Sequence, residues 1–287
     1  MKSANWLTNV ILLILLIAIS FLSYKTSQHK ESENAVVALT PLVPEKVSRI
    51  QINKKNKHTV IQRQDGVWFI TKPVNIKANQ FRIGSLLRLL TTNNFTAYAS
   101  EGLDLEKYGL FDSTLNVQVD DVNIIFGNTN PINQKRYILI NDNMYLIEDN
   151  FYPLINSQLG TLVDQKLIAD NKSEITGIKT TDFTLMRNKE NRWGSTNDAS
   201  SDDIIKTVTN WKNVQAFGVH DYVARDVHDK IEITFADDSM LTFIISDLQP
   251  WLIIARPELN LEYHFDNENI AKLLSTDHEE NLIENAR

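Results

Sequence analysis

Beyond residue 45 the chain is written largely in short apolar–polar alternations, the period of two that a half-buried strand requires. Val47-Ser48-Arg49-Ile50-Gln51-Ile52 is followed by Thr59-Val60-Ile61-Gln62-Arg63 and by a tight turn, Asp65-Gly66, that leads to Trp68. The same succession returns as Ile175 to Lys179, Phe183 to Arg187, and Glu190-Asn191-Arg192-Trp193. Each Trp-ended turn precedes a stretch with helical spacing. The first is Phe81 to Leu90 and the second Asp202 to Trp211, where Ser200 or Ser201 can cap the helix and Asp202 and Asp203 favour its positive end. Paired strands follow in both halves: 115–119 with 122–126, and 230–235 with 240–245, the latter joined by the turn Asp237-Asp238-Ser239. Two more strands and a Tyr-led segment, Tyr145 to Ile155 and Tyr263 to Leu273, close each half.

This order predicts an α+β fold of two tandem, similar modules of mostly antiparallel sheet with packed helices, each of order ββαββββα. The expected division is a cytoplasmic tail and anchor over 1–25, a tether over 26–44, a first module over 45–165, a second over 166–275, and a polar tail over 276–287. The module boundary is set near Leu159 to Glu174, where Gly160, Asp170, Asn171 and Lys172 interrupt the apolar pattern.

One segment departs from the alternation. Trp6 to Tyr24 contains no charged side chain, and Val10 to Leu22 is almost unbroken Val, Ile, Leu, Ala and Phe. A bilayer core takes roughly 20 such residues in a helix, so the segment predicts a single transmembrane helix. A cleaved signal peptide is the competing reading, but Ser20 to Lys25 lacks an Ala-x-Ala pattern. The short leading tail favours export of the carboxy-terminal part of the chain across the membrane. The Lys/Arg counts on the two flanks are nearly equal and decide little.

Composition narrows the chemistry. With 36 acidic and 29 basic residues, the formal charge is −7, which argues against a nucleic-acid surface. Lys54-Lys55-Asn56-Lys57-His58 is the one dense basic run, read as a solvated hairpin loop or a contact to anionic headgroups. There is no cysteine, and none of the six histidines forms a His-x-x-x-His pair. His220-Asp221 and His228-Asp229 are expected in a solvated loop. Neither a Gly-x-Ser-x-Gly elbow nor a phosphate-binding glycine loop is present. No catalytic, cofactor-binding or metal-binding residue is therefore assigned, and a non-enzymatic role is expected. Trp68 and Trp193 are expected as core anchors. A ligand-binding reading instead requires a cleft lined by some of Trp193, Trp211, Trp251 and Tyr263.

Several motifs resemble an uncharacterised bacterial membrane-anchored family, a domain-of-unknown-function family that often accompanies gliding-motility-type ABC transporter components. They are Val47-Ser48-Arg49-Ile50, Gly66-x-Trp68-x-Ile70 with Pro73, Leu105-Glu106-Lys107-Tyr108-Gly109-Leu110, Phe126-Gly127 and Arg136-Tyr137. Where that family tends to place Pro after Tyr-Gly-Leu, this chain has Phe111-Asp112-Ser113. The resemblance spans Val47 to about Ile155. It implies a single-pass bacterial inner-membrane protein with its carboxy-terminal domain in the periplasm, an accessory or scaffold subunit of an inner-membrane complex with ABC transporter subunits as partners. The alternatives are a periplasmic binding module for a glycan, lipid or peptide, and a membrane-tethered envelope hydrolase.

Overall fold

The computed structural model describes residues 38–277 except 94, 171 and 228, together with residues 16, 17 and 20. In the first half, β1 (Arg49–Lys54), β2 (Lys57–Gln64), β3 (Val67–Lys72) and β4 (Ile76–Lys77) lead to helix α1 (Gln80–Leu87). Then come β5 (Phe95–Ala99), β6 (Leu115–Val119), β7 (Val122–Thr129), β8 (Arg136–Ile140), β9 (Asn143–Ile147) and the single turn α2 (Tyr152–Ile155). The second half runs β10 (Ile175–Lys179), β11 (Thr184–Arg187), β12 (Trp193–Ser195), α3 (Ser201–Asn213), β13 (Gly218–Asp221), β14 (Asp229–Phe235), β15 (Met240–Asp247), β16 (Leu252–Arg256), β17 (Leu261–Phe265) and α4 (Glu268–Leu274).

The first sheet has the order β4-β3-β2-β1-β6-β7-β8-β9-β5, the second β12-β11-β10-β14-β15-β16-β17-β13. Apart from β4, the second order repeats the first position by position, and the pairs are antiparallel. Two α+β modules in tandem therefore share one topology. The module is richer than ββαββββα. The residues after the Trp turns form a third strand, β3 or β12, and the segment after each long helix forms an edge strand, β5 or β13. The sequence shows the tryptophan as the end of a turn, but strand pairing recruits it.

The alternation decides which side of each sheet is buried. Ile50 and Ile52 of β1, Leu115, Val117 and Val119 of β6, and Ile231, Ile233 and Phe235 of β14 point inward. Helix α1 covers the first sheet with Ile83, Leu86 and Leu87, and Asn79 caps it by accepting the Arg82 amide at 3.0 Å. Helix α3 covers the second with Ile204, Thr207 and Trp211, spaced to fall on one helical face. Ser200 is its cap, accepting the Asp203 amide at 3.1 Å. Trp211 is fully buried and donates its indole N–H to Leu273 O at 2.9 Å, tying α3 to α4. Trp68 is buried beneath α1, and Trp193 packs half-buried against the core. The cores of the two modules join into one apolar cluster.

The expected transmembrane helix is corrected here. Among the described residues no helix is long and apolar enough to cross a membrane. The longest with described bounds, α3, has 13 residues and carries Asp202, Asp203, Lys206 and Lys212 on its outer side. The single-pass inner-membrane placement, the chain's membrane attachment through that helix and the accessory role acting from a periplasmic domain are corrected with it, since no such helix is found among the described residues. The segment concerned, Trp6 to Tyr24, lies outside the described residues except for Leu16, Ile17 and Ser20. Of the tether, Leu39 and Thr40 lie buried on the first module, with Leu39 N bonded to Thr92 O and Thr40 N to Leu90 O.

Candidate functional site

Two clusters of polar side chains are locked inside the modules, and a third lines an opening between them. The first gathers the family motifs. The Arg136 side chain is 10% exposed at the start of β8 and is held as a fork by Asp149, with Nε to Oδ1 at 2.6 Å and Nη2 to Oδ2 at 2.8 Å. It also donates to Gly127 O at 2.5 Å and to Thr129 Oγ1 at 2.8 Å. Its guanidinium lies 3.5 Å from the centre of the Tyr152 ring. Gly127 allows the 105–110 segment to close over β7, because a Cβ there would collide with the Tyr108 carbonyl oxygen. Tyr108 packs edge-on against Tyr137 with centroids 4.8 Å apart. The motif residues of 105–110, 126–127 and 136–137 thus meet in one knot whose cation is fully engaged. Arg136 is a clamp, not a free contact for an acidic partner.

The second cluster belongs to β17 and β13. Glu262 is 3% exposed at its side chain. Burial pushes its carboxyl up, but Arg225, then His264 and the Val223 amide, pull it down to about 2. Its oxygens receive Arg225 Nη1 at 2.6 Å, Arg225 Nη2 at 3.0 Å, His264 at 2.8 Å and Val223 N at 3.0 Å. So many donors leave it no lone pair to act as a base. The His220 ring lies 4.5 Å from that of His264, the planes tilted by 53°, and burial together with that neighbour pushes its pKa down. Among the described residues no group of three His, Asp or Glu side chains is placed to hold a metal ion.

The opening lies between the modules. The linker turn Leu159–Leu162 packs on β13 at Gly160, where a Cβ would collide with Val219 O and the His220 backbone. Gln158, just before it, fixes the register: its Oε1 accepts Asp221 N at 3.2 Å and its Nε2 meets His220 Nδ1 at 2.6 Å. The β1–β2 hairpin reaches over from the first module. Lys54 Nζ donates to Ser157 O, and Lys57 Nζ lies 3.2 Å from Asp221 Oδ2. Together they enclose a cavity of about 260 Å³, with Ile52, Pro73, Leu159 and Leu162 as apolar wall. Burial, reinforced by Lys57 and opposed by Asp221, pushes the Lys54 ammonium pKa down. Asp221 Oδ1 is buried and has no hydrogen-bond partner.

The basic run 54–58 forms the β1–β2 hairpin with residues 55–58 exposed, as expected, and only Lys54 is half-buried, while His220-Asp221 lies in a strand. His228 is outside the described residues. Of the aromatics expected around a ligand, Trp211 and Tyr263 are in the core, Trp193 is half-buried, and only Trp251 is exposed. None of the four lines the junction cavity. Trp68 borders an open groove of about 620 Å³ beside Leu42 to Glu45, yet only 5% of it is exposed. Gln158 and Asp221 carried no sequence signal as a pair, since 63 positions separate them.

Fold and site define a tandem α+β protein with a small polar cavity at its module junction. The model of a family described as a domain of unknown function, DUF4340, matches residues 68–234. That span exceeds half of the 287-residue chain, and the chain belongs to this family. The match starts at Trp68, later than the resemblance at Val47, and continues past Ile155 into β14 of the second module. No curated protein and no solved structure matches the chain.

Proposed function

We propose that the chain is a non-catalytic binding protein whose ligand occupies the junction cavity. The observation that carries this reading is the buried, unpartnered Asp221 Oδ1. A buried acceptor without a donor costs about 1–3 kcal/mol, more when charged, and a ligand hydroxyl or ammonium recovers it. Lys57 holds the other oxygen, and the apolar wall suits a compact ligand with a polar edge. A catalytic reading finds less support: the carboxylate nearest to a histidine, Glu262, has its acceptor sites filled. Company with gliding-motility-type ABC transporter components, the finer part of the resemblance, is supported by the family motifs alone.

Calorimetric titration of the full chain with glucosamine, a polyol and a free amino acid tests the proposal. Binding of one of them, weakened about tenfold or more in Asp221→Ala, is the expected result, in line with a charged hydrogen bond of about 1.5–3 kcal/mol. Equal affinity in the variant, or no heat from any of the three, overturns it.

A further inference from the structure

On another side of the same junction is a second cavity, of about 310 Å³, with different chemistry. Its floor is Phe69 of β3, Ile76 of β4 and Leu241 of β15, and Lys77, Lys172 and Arg256 surround it. No carboxylate lines it. The three cations are not equally engaged. Lys77 is satisfied by Asp164 at 2.9 Å and Asp170 at 3.1 Å. Arg256, 15% exposed at its side chain, gives only Nε to Glu258, at 2.8 Å. Among the described residues its two Nη groups have no protein acceptor. Lys172 has no acidic partner among the described residues and rests on the Phe235 ring, with Nζ 5.4 Å from the ring centre. Arg256 similarly lies 5.8 Å from the centre of the Phe243 ring. Rings hold both cations in place without neutralising them.

We propose that this second cavity is a site for a small organic anion, a carboxylate or phosphate head on a short apolar body. The pair of free Nη groups on Arg256 matches the two oxygens of such a head, and Lys172 adds a point charge beside it. Phe69, Ile76 and Leu241 supply the surface for the body, which distinguishes the site from one for inorganic phosphate. A simple ion would leave that surface wet.

The full chain is titrated calorimetrically with hexanoate, hexyl phosphate, inorganic phosphate and hexanol. Hexanoate or hexyl phosphate should bind, whichever is tighter naming the head group, and inorganic phosphate and hexanol should bind at least tenfold more weakly. Lys172→Gln changes an exposed side chain and should weaken binding several-fold, while Arg256→Gln should weaken it tenfold or more with the near-ultraviolet circular dichroism retained. Asp221→Ala should leave it unchanged, which separates this site from the junction cavity above. No binding by either amphiphile, or binding indifferent to both cation variants, overturns the proposal. Binding of inorganic phosphate as tight as that of hexyl phosphate overturns the apolar half of it.

Discussion

Strands β5 and β13 hold the same place in the two sheets, each an edge strand paired to the last strand of its module. Their surroundings differ. From Thr96 to Ala99, β5 is exposed, whereas in β13 Val219 is buried and the other three residues are half-buried. The linker turn Leu159–Leu162 covers β13, and the β1–β2 hairpin comes down beside it. The two modules share a topology, and the connection between them gives one edge strand a neighbour the other lacks. The junction cavity exists because of that asymmetry. It also closes an edge that would otherwise offer unpaired backbone groups.

The internal clamps repeat the lesson. In the first module Arg136 comes from β8 and its partner Asp149 follows β9. In the second, Arg225 comes from the loop after β13 and its partner Glu262 from within β17. Both modules hold an arginine–carboxylate pair with one partner buried, but from non-equivalent positions, so the shared topology does not fix the polar interior.

Three changes sharpen this comparison. The largest effect is expected from Arg136→Ala, which leaves Asp149 with the Thr129 hydroxyl at 3.3 Å in place of its arginine and takes the donor from the Gly127 carbonyl. Losing the charged hydrogen bonds of a half-buried pair together with the side-chain packing costs about 2–4 kcal/mol, and urea unfolding should show the loss. A smaller effect is expected in the second module from acid. Arg225, His264 and the Val223 amide hold the Glu262 carboxyl at about 2, against 4.5 for an ordinary glutamate. A depressed carboxylate contributes stability that is fully present above the unfolded value and is lost as pH falls from about 4.5 toward 2. Glu262→Gln should flatten that part of the stability–pH curve, and a matched set of denaturation curves between pH 2 and pH 6 checks it. The smallest global effect is expected from Gly160→Ala, about 1–3 kcal/mol for forcing a methyl group against the β13 backbone. Its signature is local: amide exchange should quicken in β13 and stay unchanged in β5.

Much of the fold was legible in the chain. Strand positions follow from alternation, because side chains of successive strand residues face opposite sides. The caps Ser200 and Asn79 sit where short polar side chains satisfy free amides, although only the serine was anticipated. The tandem repeat of topology was readable because both halves carry the same order of elements. The count of strands per module was less so: β12 has three residues and β13 four, too few to register as a period. The candidate site was not legible. Asp221 and Lys57 are 164 positions apart, and each reads in sequence as an ordinary solvated charge.

The sequence by itself therefore determined the tandem α+β plan, since periodicity and capping act over a few neighbouring residues. It also carried the family motifs, although their role as one knot around Arg136 came from strand pairing. Only the tertiary structure decided where the modules meet, which edge strand is covered, and which charges are left without partners. Those outcomes depend on the approach of segments far apart in the chain, permitted at Gly160 by the absence of a single carbon atom.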